Sequence, residues 1–162
     1  MPRVYLSLGS NCRREASLRS ALALLRREFP DLRCSPVYES EAEGAPGGPY
    51  LNLVVDLDTR LPVPELRVLL RDIETGLGRE RGRPEVVIDI DILLYEGLCG
   101  HFDGLELPRP ELLQRAYVLK PLSDLAGGER HPLTGLTFAE HWRGFLPSDR
   151  LRRVELAETG HV

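Results

Sequence analysis

Asp89 and Asp91 stand two residues apart inside the run Val86-Val87-Ile88-Asp89-Ile90-Asp91-Ile92-Leu93-Leu94-Tyr95, which is otherwise apolar and largely β-branched. Such residues suit a pleated, half-buried surface, so the run reads as a strand. Side chains alternate faces along a strand, which puts both aspartates on one face and Ile88, Ile90 and Ile92 on the other. Carboxylates so placed lie roughly 6.5 Å apart at their Cα atoms and repel by about 2.5 kcal/mol at an effective dielectric near 20. A divalent cation turns that repulsion into attraction, and hard cations such as Mg²⁺ take carboxylate oxygens. On the residues alone, a metal site and a solvated sheet face both remain open.

Just ahead of the aspartates come Glu74 and then Arg79, Arg81 and Arg83 at alternate positions. If that stretch is extended, the three guanidiniums project one way, and arginine forks match phosphate oxygens bidentately. Carboxylates, a metal and arginines together describe a polyphosphate site. A solvated charge run in a loop is the other reading. No G-x-x-x-x-G-K-[ST] occurs, no G-x-G-x-x-G follows a strand, and G-x-S-x-G is absent. A P-loop, a dinucleotide fold and a nucleophile elbow therefore have no support.

These residues need elements to position them. Val4–Leu8 reads as a strand running into Gly9-Ser10-Asn11. Leu18, Leu22, Leu25 and Phe29 mark a helix over about 14–29. Arg33–Ser40 reads as a second strand, 43–49 as a Gly/Pro-rich loop, and Tyr50–Asp58 as a third strand with Leu51, Leu53, Val55 and Leu57 on one face. Pro62 and Pro64 suit the start of a helix whose stripe is Leu66, Leu69, Leu70, Ile73 and Leu77. The aspartate strand follows. The order β-α-β-β-α-β is that of a ferredoxin-like α/β (α+β) sandwich, with both helices on one face of an antiparallel sheet and the other face free to bind. Beyond Gly97 short helical pieces are expected near Glu111–Tyr117 and Phe138–Trp142. The whole of 1–162 is read as one domain, with a core of about 3–122 and an irregular appendage over about 123–162.

Composition limits the alternatives. The chain has 162 residues, 42% of them hydrophobic, enough for one sizeable core. A net charge of −4 supplies no global basic field for nucleic acid. Cys12, Cys34 and Cys99 form no C-x-x-C pair, and His101, His131, His141 and His161 form no metal-binding cluster, so neither a disulfide framework nor a structural zinc is expected. No apolar run approaches the ~20 residues of a membrane span. The first residues lack the long apolar core of a signal peptide. The expectation is a cytoplasmic monomer working on small molecules, with no nucleic-acid or membrane partner.

Several short segments, in order, resemble the 6-hydroxymethyl-7,8-dihydropterin pyrophosphokinase family. They are Leu8-Gly9-Ser10-Asn11, Ser35-Pro36-Val37-Tyr38-Glu39-Ser40, Tyr50-Leu51-Asn52, Ile73-Glu74, Gly78-Arg79-Glu80-Arg81, Ile88-Asp89-Ile90-Asp91-Ile92-Leu93, Leu107-Pro108 and Arg115-Ala116-Tyr117-Val118-Leu119-Lys120-Pro121-Leu122. The resemblance runs from Tyr5 to about Trp142. It implies an Mg-dependent transfer of diphosphate from ATP to the pterin hydroxymethyl group, releasing AMP, in folate biosynthesis. It further implies two Mg²⁺ ions held by Asp89 and Asp91, with Arg79 and Arg81 completing the catalytic set. The ATP site expected is Glu74, Arg79, Arg81, Arg83, Arg109 and Arg115. The pterin site expected is Asn11, Ser40, Ala42, Glu43, Tyr50, Asn52 and Tyr117.

The chain departs from the family pattern in three places. The segment Gly82-Arg83-Pro84-Glu85 is short, carries no tryptophan, and is followed by Val86 where the family has an arginine; Arg83 could stand in for it. Arg109 occupies a common histidine position. Glu43 stands where many relatives are apolar. A homologue that binds nucleotide without efficient turnover, a ferredoxin-like binding module and a metal-dependent nucleotide hydrolase are the competing readings.

Overall fold

Alternation in Tyr50-Leu51-Asn52-Leu53-Val54-Val55-Asp56-Leu57-Asp58 sends leucines and Val55 to one side and Asn52, Val54 and Asp56 to the other, and this segment becomes the heart of the sheet. The computed structural model describes residues 1–40, 48–146 and 150–156. In chain order the elements are β1 (Arg3–Ser10), α1 (Arg14–Glu28), β2 (Arg33–Cys34), β3 (Val37–Ser40), β4 (Tyr50–Asp58) and α2 (Val63–Gly76). They continue with β5 (Asp89–Tyr95), β6 (Gly100–Phe102), β7 (Leu105–Leu107), α3 (Glu111–Gln114), α4 (Ala116–Ala126), α5 (Phe138–Arg143) and β8 (Leu151–Val154). Among the described residues the main sheet is antiparallel in order β5-β1-β4-β3-β8, with β2 also on β4, and β6-β7 form a separate hairpin. The expected mixed architecture, an antiparallel sheet with helices packed on it, is what forms.

Helices α1 and α2 cover one face. Leu18, Leu22 and Leu25 of α1 and Leu66, Leu70 and Ile73 of α2 meet Leu6, Leu8, Leu53, Val55, Ile90 and Ile92. Each such side chain taken fully from water contributes about 2 kcal/mol.

The second face is not left free, which corrects the sequence expectation. Leu112, Val118, Leu119, Leu122 and Phe138 from the C-terminal helices bury against Tyr5, Val54 and Leu93. Tyr38 also reaches across from β3 to donate its hydroxyl hydrogen to the Asp124 carboxylate on α4. Residues beyond 122 are thus part of the fold: α4 continues to Ala126, α5 packs on it, and β8 pairs with β3 from Val37↔Val154 to Ser40↔Leu151. Two further boundaries differ from expectation. The strand over 33–40 is broken at Ser35-Pro36, since proline offers no N–H to a ladder. The aspartate strand opens at Asp89, not Val86: the β1–β5 ladder ends at Gly9↔Asp89, and Asn11 meets Val86 one residue out of that register.

Candidate active site

Register builds the site. Asp89 pairs with Gly9 and Asp91 with Ser7 across β1–β5, Gly9 pairs with Asn52 across β1–β4, and Asn52 with Tyr38 across β4–β3. Cross-strand partners point to the same face. Tyr38, Asn52, Gly9 and Asp89 therefore form one row, and Ser40 beside Tyr50 forms the next. Gly9 has no side chain, and the Asn52 amide lies over it: a Cβ there would sit 2.7 Å from Asn52 Nδ2 and 3.5 Å from Tyr50 Cδ2. Ser40 Oγ donates to Asn52 Oδ1 at 3.4 Å. Asn52 is thereby turned from β4 towards the aspartates.

The acidic end is organised by Glu74, which is 3% exposed. Its Oε2 accepts the Ile90 backbone N–H at 2.7 Å and its Oε1 accepts from Arg81 Nη2 at 2.6 Å. Gly78, at φ +99°, turns the chain back past the end of α2, so that Arg79 N–H donates to Glu74 O at 3.0 Å. Arg79 Nη1 then lies 3.6 Å from Glu74 Oε2 and donates to Asp89 Oδ1 at 2.9 Å and to Ile88 O at 3.0 Å. Burial pushes the Glu74 carboxyl up, and the Asp89 charge adds to it, against the Ile90 N–H and the two guanidiniums.

Asp91 is pushed up to about 7, first by burial and then by its hydrogen bond to Asp89 and the Asp89 charge, with Arg109 opposing. Two carboxyls so close together are a ready donor pair for a cation, which relieves their repulsion. Among the described residues no group of three or more His, Cys, Asp or Glu side chains could hold a metal. The site therefore offers two carboxylates and no closed cage. That suits Mg²⁺, which commonly takes one or two carboxylates and fills its remaining positions with water and substrate phosphate. Tyr50 is raised by burial and then by Asp89, with smaller effects from Arg79 and Tyr117, so these four groups share one neighbourhood.

A cleft follows the free edge of β5, between α2 and the β6–β7 hairpin. Arg67, Leu70, Arg71, Glu74, Arg81, Asp89, Asp91, Ile92, Leu105 and Arg109 line it. Arg67 Nη1 donates to the backbone oxygen of Asp103 at 2.5 Å and ties α2 to the hairpin. Arg109 N–H donates to Leu93 O at 2.8 Å, and its Nε lies 3.2 Å from Glu111 Oε2.

Of the residues expected from sequence, the structure gathers Glu74, Arg79, Arg81, Asp89, Asp91 and Arg109 around this cleft and sets Ser40, Tyr50 and Asn52 next to it. Tyr117 is half-buried on the first turn of α4. Three residues are not part of the cleft lining. Arg83, 65% exposed, pairs with Glu80 at 2.5 Å, so the three alternate arginines do not project together: the segment is not a strand, and Arg79 and Arg81 both turn to Glu74. Arg115 is exposed where α4 begins, and Asn11 directs its amide to residues 84–86. Ala42 and Glu43 lie outside the described residues. Sequence reasoning missed Arg67 and Arg71, although 67, 71 and 74 at i, i+4 and i+7 share one helix face.

Comparison with known proteins identifies the family. The family described as 7,8-dihydro-6-hydroxymethylpterin-pyrophosphokinase (HPPK) matches residues 5–127. The folic acid synthesis protein fol1 of Pneumocystis carinii is 33% identical over 151 residues; the match covers 90% of this chain but only 20% of that protein. The 2-amino-4-hydroxy-6-hydroxymethyldihydropteridine pyrophosphokinase of Porphyromonas gingivalis (strain ATCC 33277) is 39% identical over 138 residues, covering 78% of this chain and 92% of the relative. The Plasmodium falciparum HPPK-DHPS crystal structure superposes with a TM-score of 0.66 at 16% identity, covering 89% of this chain and 43% of that one, which speaks to the fold alone. With the family match spanning most of the chain and a relative at this level of identity, the chain belongs to the 7,8-dihydro-6-hydroxymethylpterin-pyrophosphokinase family.

Proposed function

We propose that this protein transfers the terminal diphosphate of ATP to the hydroxymethyl oxygen of 6-hydroxymethyl-7,8-dihydropterin, as a step of folate synthesis. The observation that supports this most is the cross-strand row that sets the Asp89/Asp91 pair beside the Asn52 amide across Gly9. One end of that row suits a metal-bound polyphosphate, and the other suits a flat ring with donors and acceptors on its edge.

In the reaction, a C–O–P bond forms at the β-phosphorus as the bond from that phosphorus to the AMP oxygen breaks, and the hydroxyl proton is lost. Asp89 and Asp91 would hold Mg²⁺, for which we propose two ions, and the metal would supply neutralisation of the triphosphate charge. Arg79 and Arg81 are already oriented by Glu74, so little reorganisation is needed for them to meet phosphate oxygens. Arg109 would meet the chain from the hairpin side, and Arg115 from the start of α4. Asn52, able to donate and accept, would read the pterin edge beside Ser40. Tyr50 and Tyr117 would bound the ring faces. Positioning of the two substrates supplies most of the rate in such a transfer.

Among the described residues no helix is long and apolar enough to cross a membrane; a cytoplasmic monomer is part of the proposal. Asp89→Ala and Asp91→Ala should each abolish turnover while the circular dichroism and melting remain those of a folded protein. Full activity in either would overturn the metal assignment. Folded wild-type protein that binds Mg²⁺-ATP without turnover would favour the nucleotide-binding homologue, the reading that the short 82–85 segment keeps alive.

A further inference from the structure

We propose that Asn11 is a positioning residue that clamps the segment 84–86 and so presets where Asp89 enters the site. The β1–β5 ladder ends at Gly9↔Asp89. Two residues further along, Asn11 N–H donates to Val86 O at 3.0 Å, Oδ1 accepts the Val86 N–H at 2.6 Å, and Nδ2 donates to Pro84 O at 3.2 Å. The side chain thus acts as one more rung of sheet for a chain that is not itself a strand.

Residue type matters here. Asparagine carries a donor and an acceptor on one short amide, and this site uses both: an oxygen for the Val86 N–H and a nitrogen for the carbonyl of Pro84, which has no N–H of its own. Aspartate can fill only the first of those roles. Asn11 is buried, whereas residues 81–85 are all exposed, so apolar packing does not hold that segment in place. Polar contacts do: Asn11, which alone holds both 84 and 86, Ser10 Oγ at Val86 O, Arg81 on Glu74, and the Arg79 bond to Ile88 O. Asp89 is the next residue.

For its effect on turnover the inference rests on Asp89 serving the metal; the clamp itself does not depend on that reading. The test follows backbone amide exchange and steady-state kinetics in wild type, Asn11→Ala and Asn11→Asp. Val86 N–H should exchange at least about tenfold faster in Asn11→Ala and stay protected in Asn11→Asp, with β1 and β4 amides unchanged in both. In the same variants kcat should fall about tenfold to a hundredfold in Asn11→Ala and less in Asn11→Asp, with KM for the pterin changing less than threefold.

Unchanged Val86 exchange, or exchange in Asn11→Asp as fast as in Asn11→Ala, would overturn the clamp. Faster exchange with unaltered kcat, or a rise confined to the pterin KM, would overturn the positioning role. If Asn11→Ala does not fold, the Asp variant carries the test by its predicted Val86 protection and intermediate kcat. A wild type that exchanges as expected yet makes no product would count against the proposed reaction and not against the clamp.

Discussion

The carboxylate of Glu74 accepts the backbone N–H of Ile90 at 2.7 Å, so α2 is latched to the edge strand midway between Asp89 and Asp91. That contact satisfies a donor which the free edge of β5 would otherwise present, and it fixes the acid that holds Arg79 and Arg81. Removing it should be felt in both stability and chemistry. Glu74→Ala leaves the buried Ile90 N–H without its acceptor and Arg81 without its carboxylate, while Arg79 keeps Asp89 and Ile88 O, and we expect a loss of about 2 kcal/mol. Glu74→Gln can still accept from Ile90 and should cost less, yet kcat/KM should fall at least tenfold in both. Chemical denaturation and steady-state assays on the two variants measure this.

Asp91 gives a pH dependence with a definite sign. Its folded-state value, about 7, lies above the ordinary 3.8, so the folded protein binds the extra proton between those values. The contribution of this group to stability is full below about pH 4 and is lost as pH rises through 7. Without metal, Tm should therefore fall between pH 5 and 8, and Asp91→Asn should flatten that slope. Mg²⁺ must displace the proton, so its affinity should rise by up to about tenfold per pH unit below 7. Calorimetric Mg²⁺ titrations that give one affinity from pH 5 to 8 would contradict this.

Gly9→Ala is a test of the Asn52 position. The added methyl carbon would meet Asn52 Nδ2 at 2.7 Å, so the amide must move off its place over β1. We expect KM for the pterin to rise at least tenfold while KM for ATP changes little. Equal effects on both substrates would place Asn52 outside the pterin pocket.

The arginines should separate by location. Arg79 touches Asp89, whereas Arg83 pairs with Glu80 at the surface. Arg79→Ala should lower kcat/KM by about a hundredfold or more. Arg83→Ala should stay within about threefold of wild type. A large loss in Arg83→Ala would show that Arg83 swings in to replace the arginine which the sequence lacks at Val86.

Much of this was legible in the chain. Periodic leucines marked β4, α1 and α2, and the paired aspartates marked β5, because burial on one face leaves a repeat in sequence. What was missed depends on distant partners. Pro121 reads as a helix breaker, yet α4 runs through it because Leu119 and Leu122 bury on the second face of the sheet. Leu151-Arg152-Arg153-Val154 has no strong strand pattern and becomes β8 by pairing with β3, where Arg152 Nη2 also donates to Glu39 Oε1 at 3.0 Å. Asn11 shows the same limit: its type and place drew attention, but only the returning chain at 84–86 reveals what its amide bonds.

The measurement that bears most directly on the account is product analysis of wild-type protein with ATP, Mg²⁺ and 6-hydroxymethyl-7,8-dihydropterin. The account predicts AMP and the pterin diphosphate in equal amounts, and neither when the pterin is omitted. ADP, or AMP released without pterin, would contradict it and show a nucleotide hydrolase in its place.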